Sequence, residues 1–491
     1  MNAATTLISE GVPRPSPAAR AEPVTASTPA RFELPAVTAD GRSLARGWLW
    51  LALGALLGSG LFSILLVLAR TPGINAWLPS GDFFRVALVV HVDLSVLVWF
   101  VAIAGLLWSL NLRPLRSPRS RLLVRAPLWL CGAGALGMAL AAFFDPGEAV
   151  MANYIPMLDS AGFRAALWVF AAGALWLVLL AMARPVPIGP AVDGAGALRF
   201  GLHASAVAAG VALLAFGWSL AVVPTTLPAK AYYEILFWGG GHALQFTWTL
   251  LMLVAWLVLV QSCGGRVPLS PRIVLLLFLI ALASVFVTPL AYLMHDVSSV
   301  EHREMHTWGM RFGGGVAIAP LVLAVLLALA PMRGLAPVKR PLRAAVLASM
   351  LLFVAGGVIG LTIQGSNVKI PAHYHGCIVG VTLALMGLVY RLLPELGYAA
   401  PRGRLAVVQP WLYGIGQLLH IIGLMWSGGY GVQRKVAGAE QVLRSSGEIA
   451  GMGLMGLGGL LAIVGGFLFA LVVIRAMRAD TVTGVGMEET P

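Results

Sequence analysis

Apolar stretches of about 20 residues recur from Gly47 to Ala476, separated by short loops bearing Arg and Pro, and they leave few folds open. A hydrocarbon core ~30 Å thick is crossed by ~20 helical residues. Inside it, only helices and closed barrels satisfy the backbone's polar groups. The runs are continuous rather than alternating, which argues against barrel strands. The pattern predicts an all-α, polytopic membrane protein, a bundle of about twelve transmembrane helices. The spans fall near 47–70, 84–110, 123–144, 164–183, 200–223, 235–262, 272–295, 307–331, 343–364, 372–394, 408–430 and 448–475. Composition agrees: 11% of residues are charged, against about 25% in a soluble domain.

The net charge of +13 would suit a nucleic-acid partner, but its distribution points elsewhere. Loops after the even-numbered spans, up to the tenth, are crowded with Lys and Arg. Arg113, Arg116, Arg119, Arg121 and Arg125 lie in or beside one of them, and Asp193 and Glu395 are their acids. The opposite loops carry both signs about equally. Positive loops stay inside, so both termini are expected in the cytoplasm of a bacterial-type inner membrane. Residues 1–45, rich in Pro, Ala, Thr and Ser, read as a disordered cytoplasmic tail. They lack the apolar centre of a signal peptide, so the first span is expected to be retained. Residues 46–477 form the membrane domain and 478–491 a short cytoplasmic tail. Cys131, Cys263 and Cys377 are scattered, with no Cys-x-x-Cys-His for covalent haem and no paired-cysteine copper site.

The histidines are not scattered. His91, His242 and His373 each lie early in a span that starts at the outer face, ~10 Å deep at ~1.5 Å per residue. His295 ends a span arriving there. His302 and His306 follow in what reads as a loop, His375 is one step beyond His373, and His420 lies in the outer half of an outward-running span. Of the nine histidines, His203 alone starts at the inner face. Ionisable side chains inside a bilayer are costly and point to function. In His373-Tyr374-His375 the two imidazoles are rotated by roughly 200° about the helix. They cannot share one metal, but they suit two metals on either side, as for a helix wedged between two haem planes. Gly376 is expected to let a flat macrocycle approach the backbone.

With these residues in view, the chain resembles subunit I of the haem-copper oxidase superfamily, which includes cytochrome oxidases and nitric oxide reductases. Phe84 to His91 resembles the second-helix segment carrying an axial ligand of the low-spin haem. Trp238-Gly239-Gly240-Gly241-His242 resembles the Trp-x-x-Gly-His of the sixth helix, and Ala372 to His375 the tenth-helix His-x-His. His420-Ile421-Ile422-Gly423-Leu424, followed by Arg434-Lys435, resembles the eleventh-helix segment that ends in two basic residues. The resemblance implies two haems, low-spin and high-spin, together with one non-haem copper or iron. It makes His373 the proximal ligand of the high-spin haem and places the low-spin haem between His91 and His375. His242 becomes a ligand of the second metal, and Arg434 and Lys435 clamp haem propionates. Trp238 and His420 line the cofactors.

The sequence also departs from that pattern. The family ends its seventh helix with two adjacent histidines, whereas this chain reads Thr288-Pro289-Leu290-Ala291-Tyr292-Leu293-Met294-His295-Asp296. Two readings stay open. Either His242 with some of His295, His302 and His306 rebuilds the metal site, or the second metal is lost. Oxygen reductases also carry a tyrosine near that metal. Phe246 holds one of its usual positions, and Tyr292 is the tyrosine close by. Acids are nearly absent from the inner halves of the spans and frequent at the outer face, which suggests proton supply from outside and no pumping. Asp93, inside the second span, is left either to bond a neighbouring helix or to relay protons.

The function expected is reduction of a diatomic gas, with nitric oxide favoured over oxygen. An oxygen-reducing cytochrome oxidase subunit is the alternative. A di-haem electron carrier or gas sensor without the second metal is the alternative of another class. With no electron-entry motif in the chain, the expected donor is a periplasmic cytochrome c or a cupredoxin-type subunit.

Overall fold

In a computed structural model, residues 31–34, 37–74, 81–114, 117–190, 192–332, 334–436 and 441–479 are described. Among the described residues, twelve helices are long and apolar enough to cross a membrane. They are α1 Ala39–Arg70, α2 Phe83–Leu110, α3 Ser120–Phe144, α4 Ala161–Ala183, α5 Gly194–Val222 and α6 Ala229–Cys263. They continue as α7 Pro271–Met294, α8 Val300–Leu329, α9 Arg340–Leu361, α10 Lys369–Leu392, α11 Arg404–Gly429 and α12 Ser446–Arg478. All twelve expected spans are present.

Most helices start earlier than their apolar runs, because polar caps set the boundary. Thr38 accepts from the Gly41 N–H, so α1 opens at Ala39 and residues 39–45 are helical rather than tail. Residues 1–30 and 480–491 lie outside the described residues. A second boundary matters more. The Ser299 hydroxyl accepts from the His302 N–H at 3.1 Å and opens α8 at Val300. His302 and His306 therefore stand one turn apart on one helix face, not in a loop.

Three spans form the centre. In α6, α10 and α2, 89%, 78% and 72% of the apolar window is buried, against 50% or less in the other nine. These three carry His242, His373 with His375, and His91. Small residues draw the surrounding helices close, as expected where lipid gives no hydrophobic drive between helices. A Cβ on Gly376 would stand 2.5 Å from the Gly356 Cα, and one on Gly458 would stand 2.3 Å from the His420 nitrogen. Gly376 therefore serves the α9–α10 crossing, not the approach of a macrocycle expected from the sequence.

One short antiparallel hairpin, β1 (Glu148–Val150) and β2 (Met157–Asp159), joins α3 to α4, with Val150 opposite Met157. Its tip, residues 151–156, lies beside α6 at the histidine-bearing end.

Candidate haem and metal centre

Five of the eight clustered histidines share one device. The Nδ1 of His91 meets Ser59 O at 3.0 Å, and that of His242 meets Trp238 O at 2.8 Å. His306 Nδ1 meets His302 O at 2.8 Å, His373 Nδ1 meets Gly356 O at 2.7 Å, and His420 Nδ1 meets Met455 O at 3.0 Å. A carbonyl oxygen only accepts, so each Nδ1 carries the proton. In a neutral ring the lone pair then resides on Nε2. An N–H anchored to a backbone carbonyl is the usual way of orienting a metal-binding imidazole.

The rings fall into groups separated by α10. On one side His375 stands 5.0 Å, centroid to centroid, from His420, with His91 and Arg70 nearby. His91 is fixed by Ser59, whose hydroxyl also lies 2.9 Å from its Nδ1. Arg70 ends α1 and bonds Gln441 and the Gln433 carbonyl. His373 leaves α10 in another direction, its ring admitted by Gly360, where a Cβ would come within 2.6 Å of Nδ1.

The remaining rings gather beside α6. His242 and His306 are 5.7 Å apart and His306 and His302 4.6 Å, with Tyr292 stacked edge-on 4.7 Å from His302. The three glycines before His242 make this possible. A Cβ on Gly239 would strike Tyr292 at 2.5 Å, one on Gly240 Phe216 at 2.3 Å, and one on Gly241 Tyr154 at 2.2 Å. Trp238 packs 4.7 Å from His242 and supplies its carbonyl. The imidazoles beside His242 thus come from the start of α8, whereas His295 caps the end of α7, partly exposed in extended backbone (φ −137°).

Among the described residues, no three His, Cys, Asp or Glu side chains form a ready-made metal ligand set. The donor chemistry nevertheless fits a metal. His306 Nε2 and both nitrogens of His302 are buried without a hydrogen-bond partner, a costly state that coordination relieves. The free Nε2 of His91 and His373 fits haem iron in the same way.

Arg434 and Lys435 do not stand free for propionates. Arg434 reaches Asn153 Oδ1 at 3.4 Å, and Lys435 bonds the Met151 carbonyl and, at 3.5 Å, Asn153 Oδ1. Glu234 takes the Asn153 N–H at 2.9 Å and also its side-chain amide. Burial, reinforced by Arg434, pulls the Lys435 ammonium down to about 8. Burial and the nearby Glu234 push the Tyr154 phenol upward. Asp93 is 1% exposed, lies in a π-bulge of α2 (Asp93–Val98), and neither carboxylate oxygen has a hydrogen-bond partner. It therefore does not bond a neighbouring helix.

Sequence reasoning missed Tyr154, Asn153, Ser59 and Arg70. Tyr154 had a legible signal, because three consecutive glycines before a buried histidine mean that something bulky approaches. Ser59 and Arg70 had none, since each needs the α1–α2 or α1–α10 pairing to be known.

Comparison with known proteins identifies the family. An uncharacterised protein of Rickettsia prowazekii (strain Madrid E) is 28% identical over 500 aligned residues, covering 89% of this chain and 96% of its own. Cytochrome c oxidase subunit 1 of Thermus thermophilus is 26% identical over 256 residues, covering 44% of this chain and 43% of its own. A solved heme-copper terminal oxidase dimer superposes with a TM-score of 0.67 at 17% identity, covering 91% of this chain and 85% of that one, and shares its fold. The sequence matches the family described as cytochrome C and quinol oxidase polypeptide I over residues 43–481. With twelve spans and this match over most of its length, the chain belongs to this family of haem-copper oxidase subunits, membrane oxidoreductases by class.

Proposed function

We propose that the chain passes electrons from a low-spin to a high-spin haem and reduces a diatomic gas beside a second metal. The observation that carries this reading is the divergence of His373 and His375 on α10. One is anchored at Gly356 and the other stands among His91, His420 and Arg70. In this reading His91 and His375 hold the low-spin haem, lined by His420, and His373 holds the high-spin haem. His242, with His302 and His306, holds the second metal, and His295 is at its margin. When bound, these groups supply one-electron chemistry and an open coordination position for a small ligand. The protein supplies preoriented imidazoles and cations at the rim. Arg434 and Lys435 serve propionates while retaining the Asn153 turn, and Arg70 is a further cation beside the low-spin group.

Nitric oxide is the substrate proposed, with Phe246 at the position where oxygen reductases carry a tyrosine. A specific observation favours oxygen as a second reading. Tyr154 supplies a phenol within hydrogen-bond reach of His242. We place the chain in a bacterial-type inner membrane, both termini and the flanking segments cytoplasmic, with a periplasmic cytochrome c or cupredoxin-type donor.

The test is haem and metal stoichiometry of the purified protein, a carbon monoxide difference spectrum, and nitric oxide and oxygen uptake measured side by side. Two haems, one of them carbon-monoxide-reactive, and one further metal are expected. Two haems with no third metal and no uptake of either gas would make the chain an electron carrier or sensor instead.

A further inference from the structure

At the end of the bundle opposite the histidines, α9 and α11 stand on either side of a cavity of about 320 Å³. It is lined by Arg340, Arg343 and Leu347 of α9, by Val407 and Trp411 of α11, and by Leu335 of the loop before α9. The two helices close beyond it, where a Cβ on Gly414 would stand 2.9 Å from the Ala348 Cβ. The mouth is cationic. Arg340 Nε donates to Leu335 O at 3.1 Å, which fixes its guanidinium at the rim. Arg343, one turn further on, has its Nε buried without a hydrogen-bond partner. Among the described residues, neither arginine is paired with a carboxylate, and no acid lines the cavity. A buried guanidinium N–H without an acceptor is costly, and an anion relieves it with a charge-assisted bond. Residues three apart are neighbours on a helix, so one phosphate can engage both arginines.

What continues beyond the cavity identifies the class of anion. From Leu347 the same face of α9 runs on through Leu351, Val354 and Val358, all exposed. From Val407 the α11 face runs on through Trp411, Ile415 and Ile422, also exposed. These spacings keep each set on one side of its helix, and exposed apolar residues of a span face hydrocarbon. A free anion would meet only the mouth, whereas a phospholipid meets both the arginines and the apolar faces. A zwitterionic headgroup would also bring an ammonium, for which the cavity wall has no carboxylate. Basic pockets between spans are suited to anionic headgroups, and tryptophan to the level where headgroup meets chain. We propose that this cavity binds one anionic phospholipid, its phosphate held by Arg340 and Arg343 and its acyl chains lying along α9 and α11. The site is separate from the haem and metal centre and does not rest on the reading of it.

The test titrates phosphatidylglycerol into the intact, delipidated protein in detergent and counts bound lipid by native mass spectrometry. Phosphatidylcholine and inorganic phosphate are the parallel probes. One phosphatidylglycerol per chain should bind first, and phosphatidylcholine about tenfold more weakly, the effect of one charge-assisted contact. This comparison is made on wild type and is independent of how any variant folds. Arg340→Gln and Arg343→Gln should each weaken phosphatidylglycerol binding about tenfold. Leu347→Trp, which fills the cavity and leaves the charge untouched, should weaken it as well. Arg272→Gln, at the same end on α7 and outside the cavity, should bind as wild type does. Equal affinity for the two lipids, or equal weakening in Arg272→Gln, would overturn the proposal and leave a uniformly basic face. Inorganic phosphate binding as tightly as phosphatidylglycerol would overturn the lipid assignment and make the cavity a free-anion site.

Discussion

The two ends of this bundle differ in the kind of buried polar group they leave open. Deep at the end opposite the histidines, one set of polar groups closes on itself, while Trp48 Nε1, Arg199 Nε and Arg343 Nε stay buried without a partner. The Trp108 indole donates to Ser205, and the Trp256 indole donates to Ser349, whose hydroxyl donates to Gly380 O at 2.6 Å. The Tyr390 hydroxyl donates to Gln409, and the Gln409 amide donates to Gly465 O. These bonds tie α2 to α5, α6 to α9 and α10, and α10 through α11 to α12, and leave little for a ligand. At the histidine end His91, His306, His373 and His420 each have Nδ1 anchored to a carbonyl and, among the described residues, no hydrogen-bond partner on Nε2, and in His302 neither nitrogen is tied. Both ends are buried and apolar, so burial does not separate structure from function here. What separates them is that a cluster of imidazole nitrogens, able to coordinate a metal, is left open at one end.

The largest effects should come from cutting the open ends. His373→Ala should abolish carbon monoxide binding and leave the low-spin haem spectrum, whereas His375→Ala or His91→Ala should do the reverse. Optical spectra of the reduced proteins decide it. If both α10 variants gave the same spectrum, the division of rings by that helix would be wrong. Next, His306→Ala should remove the second metal and lower gas turnover by more than the roughly 10–100-fold typical of losing an outer-shell partner. His295→Ala should change metal content little. Equal losses in the two variants would return the site to the end of α7.

The fold was legible because a bilayer permits so few solutions: continuous apolar runs and the sidedness of arginine predicted all twelve spans. The sites were legible in part. His91, His242, His373 and His375 stand where their helical positions imply, because a transmembrane helix fixes depth and azimuth directly from sequence number. His302 and His306 read as loop in the sequence because Glu301, Arg303 and Glu304 hide a helix start whose cap is Ser299. Their polarity broke the apolar pattern where α8 extends beyond the apolar run. Arg434 and Lys435 were expected to clamp propionates. Their grip on Asn153 depends on a contact between residues more than 280 positions apart, which no local pattern encodes. Tyr154 differs, because Gly239, Gly240 and Gly241 signal that something bulky approaches His242, though not which residue it is.

The closed end gives a smaller and different signature. Ser349→Ala leaves the Trp256 indole without its acceptor and Gly380 O without its donor. The stranded groups should cost about 1–3 kcal/mol, read as a lower Tm in detergent. Haem spectra and carbon monoxide affinity should stay at wild-type values. A spectral change in Ser349→Ala would mean that the two ends are coupled, and that the open rings depend on the closed network for their orientation.

The smallest expected effect concerns the turn held by Lys435 at the rim, and its sign is diagnostic. Lys435 is held at about 8, below its ordinary 10.5, by burial, with Arg434 and Lys230 acting in the same direction and Glu234 against them. Below about pH 8 its ammonium gives charge-assisted bonds to Met151 and Asn153; above it those bonds become neutral and weaker, by about 1 kcal/mol. Stability runs the other way. The folded chain releases this proton before the unfolded chain does, so between about pH 8 and 10.5 the unfolded state holds more protons and this residue's contribution to stability rises with pH. The Tm of wild type in detergent should therefore rise relative to that of Lys435→Met across this window. A rise of the same size in Lys435→Met would assign the titration to another group at the rim.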